Sequence, residues 1–179
     1  MFVIYGSSRP NGNTEQLSNV IFQGIEKEEV YLRNLNILPI TDKRHDSEGF
    51  QEVGDDYSRI AKQMLEHEEI VFVTPLYWYG MSGHLKNFID RWSQSLRDKE
   101  LNFAEQMKDK KMYVVVVGGK EARLKALPLI GQFKYIFEFM NASFEGYLIG
   151  EASIPGDILK DEWAIEQAKS LNKQLQALK

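Results

Sequence analysis

Short apolar runs alternate with longer amphipathic stretches along the whole chain. Runs of apolar and β-favouring residues, the pattern of buried strands, occupy residues 2–5, 29–32, 70–73, 112–117 and 144–149. After each run, apolar residues recur at spacings of three and four, which predicts amphipathic helices. These helices begin near Thr14, Tyr57, Leu85, Leu127 and Ala164, and the last one carries Ala168, Leu171, Leu175 and Leu178 on its apolar face.

This alternation predicts an α/β fold with a parallel sheet, and it leaves few possible topologies. Right-handed crossovers between five strands favour a flavodoxin-like three-layer sandwich with strand order 2-1-3-4-5. A single domain over residues 1–179 is expected. In such sheets, ligands bind beyond the carboxyl ends of the strands, near the point where the strand order reverses. The loops after the first, third and fourth strands are therefore the places to search for function.

Composition and charge exclude several classes of function. The 179 residues include 22 Lys and Arg against 26 Asp and Glu, and they include no cysteine. Without cysteine the chain has no disulfide, no thiolate nucleophile and no Cys-ligated zinc or iron–sulfur centre, and we expect no metal site. The net charge of −4 indicates no nucleic-acid partner. No apolar segment reaches membrane-spanning length and the N-terminus lacks the pattern of a signal peptide, so we expect a cytoplasmic protein without a membrane partner.

The loop after the first strand has the composition of a phosphate site. It reads Gly6-Ser7-Ser8-Arg9-Pro10-Asn11-Gly12-Asn13-Thr14 and leads directly into a helix. Backbone N–H groups, hydroxyls and the positive end of the helix dipole can converge there on a phosphate monoester, with Arg9 as a charged fork. The alternative is a solvated loop with an N-cap at Asn13 or Thr14. A P-loop and the dinucleotide fingerprint are excluded because their glycine and lysine patterns are absent.

The loop after the third strand gathers aromatic residues beside this phosphate loop. It reads Thr74-Pro75-Leu76-Tyr77-Trp78-Tyr79-Gly80-Met81-Ser82-Gly83. Such a cluster suits stacking against a flat heterocycle, although the rings can also simply pack over the next helix. The Gly118-Gly119 pair after the fourth strand permits close approach to a ring edge. A phosphate cradle beside an aromatic shelf fits FMN.

These two motifs resemble the signature regions of the NADPH-dependent FMN reductase family. The second motif extends through His84-Leu85-Lys86-Asn87-Phe88-Ile89-Asp90-Arg91, and Ile154-Pro155-Gly156-Asp157-Ile158 is similar to the family's usual ending. The family comprises flavodoxin-like NAD(P)H:flavin and quinone oxidoreductases related to the iron–sulfur flavoproteins. The resemblance therefore implies bound FMN, NAD(P)H as co-substrate and a small-molecule electron acceptor. A homodimer is also implied.

The resemblance implies a role for each motif residue. Ser7, Arg9, Asn13 and Thr14 would hold the FMN phosphate, within a loop that also contains Ser8 and is shaped by Asn11 and Gly12. Pro75, Leu76, Tyr77, Trp78, Tyr79 and Gly80 would border the isoalloxazine, with Gly118 and Gly119 on its other edge. Asp90 and Arg91 are interpreted as structural or interfacial. No catalytic side chain is expected, because the cofactor carries the chemistry.

The chain departs from its relatives in two places. Many relatives carry cysteines in the loop after the second strand, but residues 34–55 contain none and are interpreted as a mobile, solvated lid. His84 stands where relatives more often have a neutral residue, and is interpreted as a surface histidine. The cluster Lys120, Arg123 and Lys125 is a candidate for attracting the nicotinamide cofactor's phosphates, and a solvated charged face is the alternative.

These features predict an FMN-dependent oxidoreductase that takes a hydride from NAD(P)H and reduces a quinone, flavin, azo or nitro compound by a ping-pong mechanism. The alternative is a flavodoxin-type electron carrier without its own NAD(P)H activity. Such carriers are usually much more acidic than this chain.

Overall fold

The predicted strands form one parallel sheet in the computed structural model, which describes residues 1–177. Its order is β2-β1-β3-β4-β5, as expected from the sequence. The strands are β1 (Phe2–Tyr5), β2 (Glu28–Tyr31), β3 (Glu69–Pro75), β4 (Lys111–Gly118) and β5 (Ser143–Glu151). The flavodoxin-like fold prediction is therefore confirmed. Because all strands run the same way, their carboxyl ends share one edge of the sheet.

The helices are more fragmented than the apolar periodicity predicts. They are α1 (Asn13–Ile21), α2 (Tyr57–Leu65), α3 (Gly83–Asp90), α4 (Trp92–Ser95), α5 (Phe103–Met107), α6 (Ala122–Lys125), α7 (Leu127–Phe139) and α8 (Glu162–Gln176). The stripe predicted as one helix from Leu85 to Leu96 is broken at Arg91 into α3 and α4. Helices α5 and α6 were missed because four or five residues are too few to show a helical period. Leu178, predicted for the last helix, lies outside the described residues.

Helices cover the sheet on both faces. Alternate residues of the strands point to opposite sides, so Ile4 and Phe72 belong to one core while Val3 and Val71 belong to the other. The first core is closed by α2 to α5 and by α7, and the second by α1 and α8. Both faces of β4 are buried, as its continuous apolar run predicts.

The third strand ends later than expected. The sequence predicts a strand over residues 70–73, yet β3 continues to Pro75, which lies opposite Val117 in the ladder with β4. Pairing even continues past the proline, since the Leu76 N–H donates to the Val117 carbonyl at 2.9 Å. This pairing holds the following aromatic loop against the end of β4.

The segment between β2 and α2 is largely exposed, as the sequence predicts, but it is anchored to the helices at its end. Residues 41–48 are exposed, but Asp55 at its end forms a buried ion pair with Arg91, with 2.6 Å between the carboxylate and the guanidinium. Arg91 also donates to the Leu38 carbonyl. Burial of Asp55 raises its pKa, but the hydrogen bonds from Arg91 and from backbone N–H groups outweigh this effect, and its pKa lies below the usual range. The structural role predicted for Arg91 is thus to tie this segment to α3 and α4.

Within residues 1–177, the helices are all too short or too polar to cross a membrane.

Candidate functional site

A cavity of about 310 Å³ opens at the carboxyl ends of β1, β3, β4 and β5. This size falls within the range of about 300–1,000 Å³ that is usual for small-molecule sites. The predicted residues that line it are Ser7, Arg9, Gly12, Asn13, Thr14, Pro75, Leu76, Tyr77, Gly118 and Gly119. The structure therefore brings together the three loops that the sequence singles out.

The loop after β1 is held by its own polar groups. The Ser7 hydroxyl donates to the Arg9 carbonyl and accepts from the Arg9 N–H, both at 3.2 Å. The loop reverses direction at Asn11, whose φ of +52° lies in the left-handed region that asparagine tolerates. Ser7 and Thr14 are 4% and 3% exposed, whereas Arg9 is exposed at the rim of the cavity. Ser7 and Thr14 are thus buried at the two ends of the loop, and the cation is on the surface.

The start of α1 differs from the predicted cap. Gly12 is the N-cap residue, and neither Asn13 nor Thr14 caps the helix with its side chain. The Asn13 side chain instead joins the segment after β5, donating to the Ile154 carbonyl at 3.0 Å and accepting from the Gly156 N–H at 2.9 Å. The predicted contact of Asn13 with the phosphate is therefore left to its backbone N–H. Helix geometry leaves the N–H groups of the first turn without an intrahelical acceptor.

These donors fit the phosphate of FMN. The first turn of α1 supplies N–H groups and positive dipole potential, and buried Ser7 and Thr14 stand on either side of the loop. At the other end, the backbone of Gly118 is so close to its neighbours that a Cβ there would lie 3.0 Å from the side chains of Leu76 and Ala122. A Cβ there would require these side chains to shift by a few tenths of an ångström, so the packing favours glycine at this wall of the cavity.

The aromatic loop after β3 is a tight hairpin that does not form the expected continuous shelf. Tyr77 and Gly80 exchange two backbone hydrogen bonds, at 3.0 and 2.9 Å, around a two-residue turn. Trp78 and Tyr79 occupy this turn with φ of +48° and +64°, which glycine or asparagine usually adopts. Tyr77 lines the cavity, but Trp78 is 96% exposed and Tyr79 is 58% exposed. Trp78, Tyr79 and Gly80, predicted to border the ring, are therefore outside the cavity, because the turn aims its tip at solvent.

Two other predicted loop residues, Ser8 and Asn11, also stand outside the cavity and are exposed. Conversely, the sequence interpretation missed Val117, Ala152 and Ser153, which line the cavity. The signal that points to the last two was available, because β5 ends at the same sheet edge as β1, β3 and β4. A Cβ on Gly119 would lie 3.0 Å from the Ser153 hydroxyl, so the loop after β5 packs closely on the loop after β4.

The predicted cation cluster is largely neutralised. Arg123 pairs with Glu151 and Asp161, at 2.9 and 2.5 Å, and Lys125 pairs with Glu121 at 2.7 Å. The Glu121 hydrogen bond and charge hold the pKa of Lys125 above its usual value. Two of the three cations thus already have carboxylate partners, which weakens the case for cofactor attraction. His84 is exposed at the start of α3, as expected for a surface histidine.

Comparison with known proteins agrees with this geometry. The model of the family described as NADPH-dependent FMN reductase matches residues 1–138. A Bacillus subtilis (strain 168) protein named as an NAD(P)H-dependent FMN-containing oxidoreductase is 48% identical over 177 residues, which cover 98% of each chain. An iron–sulfur flavoprotein of Methanocaldococcus jannaschii is 30% identical, with 96% of this chain and 93% of that protein covered.

A solved structure is similar over nearly the same length. The Trp repressor binding protein from Bacillus subtilis superposes with a TM-score of 0.80 at 43% identity, covering 95% of each chain. The family match also confirms the predicted cofactor, FMN, and the predicted class of enzyme, an oxidoreductase that uses NAD(P)H. The chain therefore belongs to the NADPH-dependent FMN reductase family.

Proposed function

We propose that the protein oxidises NAD(P)H through FMN held in the cavity at the sheet edge, and reduces a small acceptor such as a quinone, a flavin, an azo compound or a nitro compound. The observation that carries the proposal is one cavity with a polar, helix-capped end at α1 and a less polar end at Pro75, Leu76 and Tyr77. A phosphate needs the polar end with its hydrogen-bond donors, and a flat ring system needs the less polar end. When bound, FMN supplies the chemistry that accepts and returns electrons.

The chain's own residues bind and orient. We propose that Ser7, Thr14 and the N–H groups of Gly12 and Asn13 hold the phosphate, with Arg9 at the rim. Pro75, Leu76, Tyr77, Gly118 and Gly119 border the ring, and Ser8 and Asn11 shape the phosphate loop. Trp78, Tyr79 and Gly80 form the tip that stands beside the open face. No side chain is assigned a proton transfer.

A ping-pong order follows from the use of one open face by both substrates in turn. Initial rates are measured with FMN-loaded protein while NADH or NADPH is varied against a quinone, an azo dye, a nitro compound and free flavin. Parallel double-reciprocal lines are expected, and intersecting lines refute the ping-pong order. If no acceptor supports NAD(P)H oxidation but a separate flavodoxin reductase does reduce the bound flavin, the electron-carrier alternative is correct.

We also propose a homodimer built on a surface that we call the α4–α7 groove, of about 570 Å³, lined among others by Trp92, Leu96, Tyr135 and Phe139. Tyr135 and Phe139 lie one helical turn apart and are 72% and 73% exposed. A projecting aromatic pair beside an apolar groove on the same face suits a two-fold interface, in which each copy fills the other's groove.

Light scattering during size-exclusion chromatography tests the dimer. The wild type and the neighbouring surface variant Glu138→Lys are expected to elute as dimers, whereas Phe139→Lys is expected to elute as a monomer. A monomeric wild type at micromolar concentration contradicts the proposal. The cytoplasmic location stays a prediction of the sequence.

A further inference from the structure

Two side chains from the first turn of α1 hold the left-handed turn at Asn11 in the phosphate loop. The Asn11 N–H donates to the Glu15 carboxylate at 2.9 Å, and the Gln16 side-chain amide donates to the Asn11 carbonyl at 3.0 Å. Both backbone polar groups of the turn residue are therefore held by side chains from the helix. Glu15 sets the position of Asn11, and with it the approach of the loop to the helix start.

The Glu15 carboxylate in this contact places a negative charge near the proposed phosphate, which is also negative. Glu15 is 7% exposed and stands in the first turn of α1, beside Thr14 of the cavity wall. A carboxylate there competes with a phosphate for the same positive helix end, and the two anions repel each other where little water screens them. A phosphate site with this carboxylate needs a compensating cation.

Arg33 supplies that cation from the short 3-10 helix Leu32–Asn34. It follows β2 and donates from Nη1 to the second Glu15 oxygen at 2.5 Å, with its side chain 15% exposed. Its guanidinium also lies 4.5 Å from the centre of the Tyr31 ring, which stacks on Tyr5 at 4.6 Å. The aromatic stack and the ion pair thus fix Arg33 behind the phosphate loop, outside the cavity that the loop lines.

We propose that Arg33 is a positioning residue for the FMN phosphate, acting through Glu15. It neutralises the carboxylate that holds the Asn11 turn, so the loop keeps its shape without repelling the ligand. The inference rests on the proposed phosphate site. It also gives the short helix after β2, which contributes nothing to the cavity wall, a part in cofactor binding.

Flavin affinity tests the inference, with riboflavin as the matched ligand that lacks the phosphate. Dissociation constants of FMN and riboflavin are measured by flavin-fluorescence titration of the apoprotein. Arg33→Met is expected to weaken FMN binding about tenfold, because it leaves Glu15 buried and uncompensated, and to change riboflavin binding less than about twofold.

A second substitution separates charge from shape. In Glu15→Gln/Arg33→Met, the amide oxygen of Gln still accepts from the Asn11 N–H, and FMN affinity is expected to return to within about threefold of wild type. Glu15→Gln alone is expected to keep or raise FMN affinity, which gives a reading even if Arg33→Met fails to fold. Equal losses for both flavins, an unchanged Arg33→Met or no recovery in the double variant overturns the inference. A wild type that binds FMN no better than riboflavin refutes the proposed phosphate site instead.

Discussion

The loop after β1 and the hairpin after β3 meet at the same cavity, but they are stabilised in opposite ways. In the first loop, Ser7 and Asn11 have their hydrogen bonds satisfied by neighbouring groups, and Ser7 and Thr14 are buried. In the hairpin, Trp78 and Tyr79 stand in a left-handed turn and expose most of their surface. The loop after β1 is held in shape by its own hydrogen bonds, whereas the hairpin exposes large rings to water.

The difference indicates how the two ends of the site contribute to binding. A preformed phosphate cradle loses little conformational freedom when the ligand arrives. The hairpin instead carries a backbone cost of about 1–3 kcal/mol for each residue held in a sparsely populated region. Backbone strain of this kind clusters at ligand clamps and active sites, which makes the tip a proposed contact for the ring system.

The largest effect is expected from a charge placed in the cradle. Thr14→Asp puts a carboxylate among the donors proposed for the phosphate, and FMN affinity is expected to fall on the order of 1,000-fold, about 4 kcal/mol. Riboflavin affinity, measured in the same titration, is expected to change less than about threefold. Because Asp would stand beside Glu15 at a position that is 3% exposed, folding of the apoprotein is checked by circular dichroism before the titration.

Thr14→Asn is the matched control, since it has nearly the same shape without the charge. It is expected to lose far less FMN affinity than Thr14→Asp. If the two variants weaken FMN equally, or if Thr14→Asp weakens riboflavin as strongly, the cradle is not the phosphate site. The contrast between the two loops then has to be abandoned.

The next effect concerns the point where the two loops touch. A Cβ on Gly6 would lie 2.7 Å from the Ser82 hydroxyl and 2.9 Å from Leu85 Cβ, both at the start of α3. Gly6→Ala is therefore expected to lower the free energy of unfolding by about 2 kcal/mol, measured by urea denaturation. Gly83→Ala is the control, because a Cβ there meets nothing within 4 Å. Equal stability of the two variants contradicts the tight junction between the loops.

The sequence predicted the residues that line the cavity more accurately for the loop after β1 than for the hairpin, and the reason is physical. Gly, Ser and Asn together in one loop indicate a turn that presents backbone N–H groups and hydroxyls. The helix that follows fixes where these donors converge. Whether Tyr77 or Trp78 faces the cavity depends on φ at two residues, which no aromatic motif specifies. The backbone hydrogen bonds between Tyr77 and Gly80 fix this turn, and they become visible only in the fold.

The same limit applies to groups that act across the chain. In the sequence, the charged residues of the Glu15–Arg33 and Asp55–Arg91 pairs look like any others. Only the fold shows that they form ion pairs with little exposure to solvent. The strand order, by contrast, followed from the alternation of apolar runs with helical stripes. Patterns that repeat along the chain were predictable, and single contacts between distant segments were not.

A smaller effect is expected from relief of the hairpin's backbone strain. Tyr79 has a φ of +64°, and this position of a two-residue turn favours glycine. Tyr79→Gly is expected to raise the free energy of unfolding by about 1 kcal/mol relative to Tyr79→Ala, because both variants lose the ring but only glycine removes the Cβ. Urea denaturation of the two variants measures the difference. Equal stability of Tyr79→Ala and Tyr79→Gly contradicts the strain.

The smallest effect on folding, and the most direct test of the exposed tip, comes from Trp78→Ala. Because the ring is 96% exposed, the free energy of unfolding is expected to change by less than about 0.5 kcal/mol. If Trp78 covers a bound ring, its removal weakens FMN and riboflavin alike, by about three- to tenfold, since stacking does not involve the phosphate. Trp163→Ala, which removes a half-exposed tryptophan from α8, is the control and is expected to change neither affinity. A loss confined to FMN assigns Trp78 to the phosphate end and removes the division of labour between the two loops, while unchanged affinities show that Trp78 does not contact the flavin.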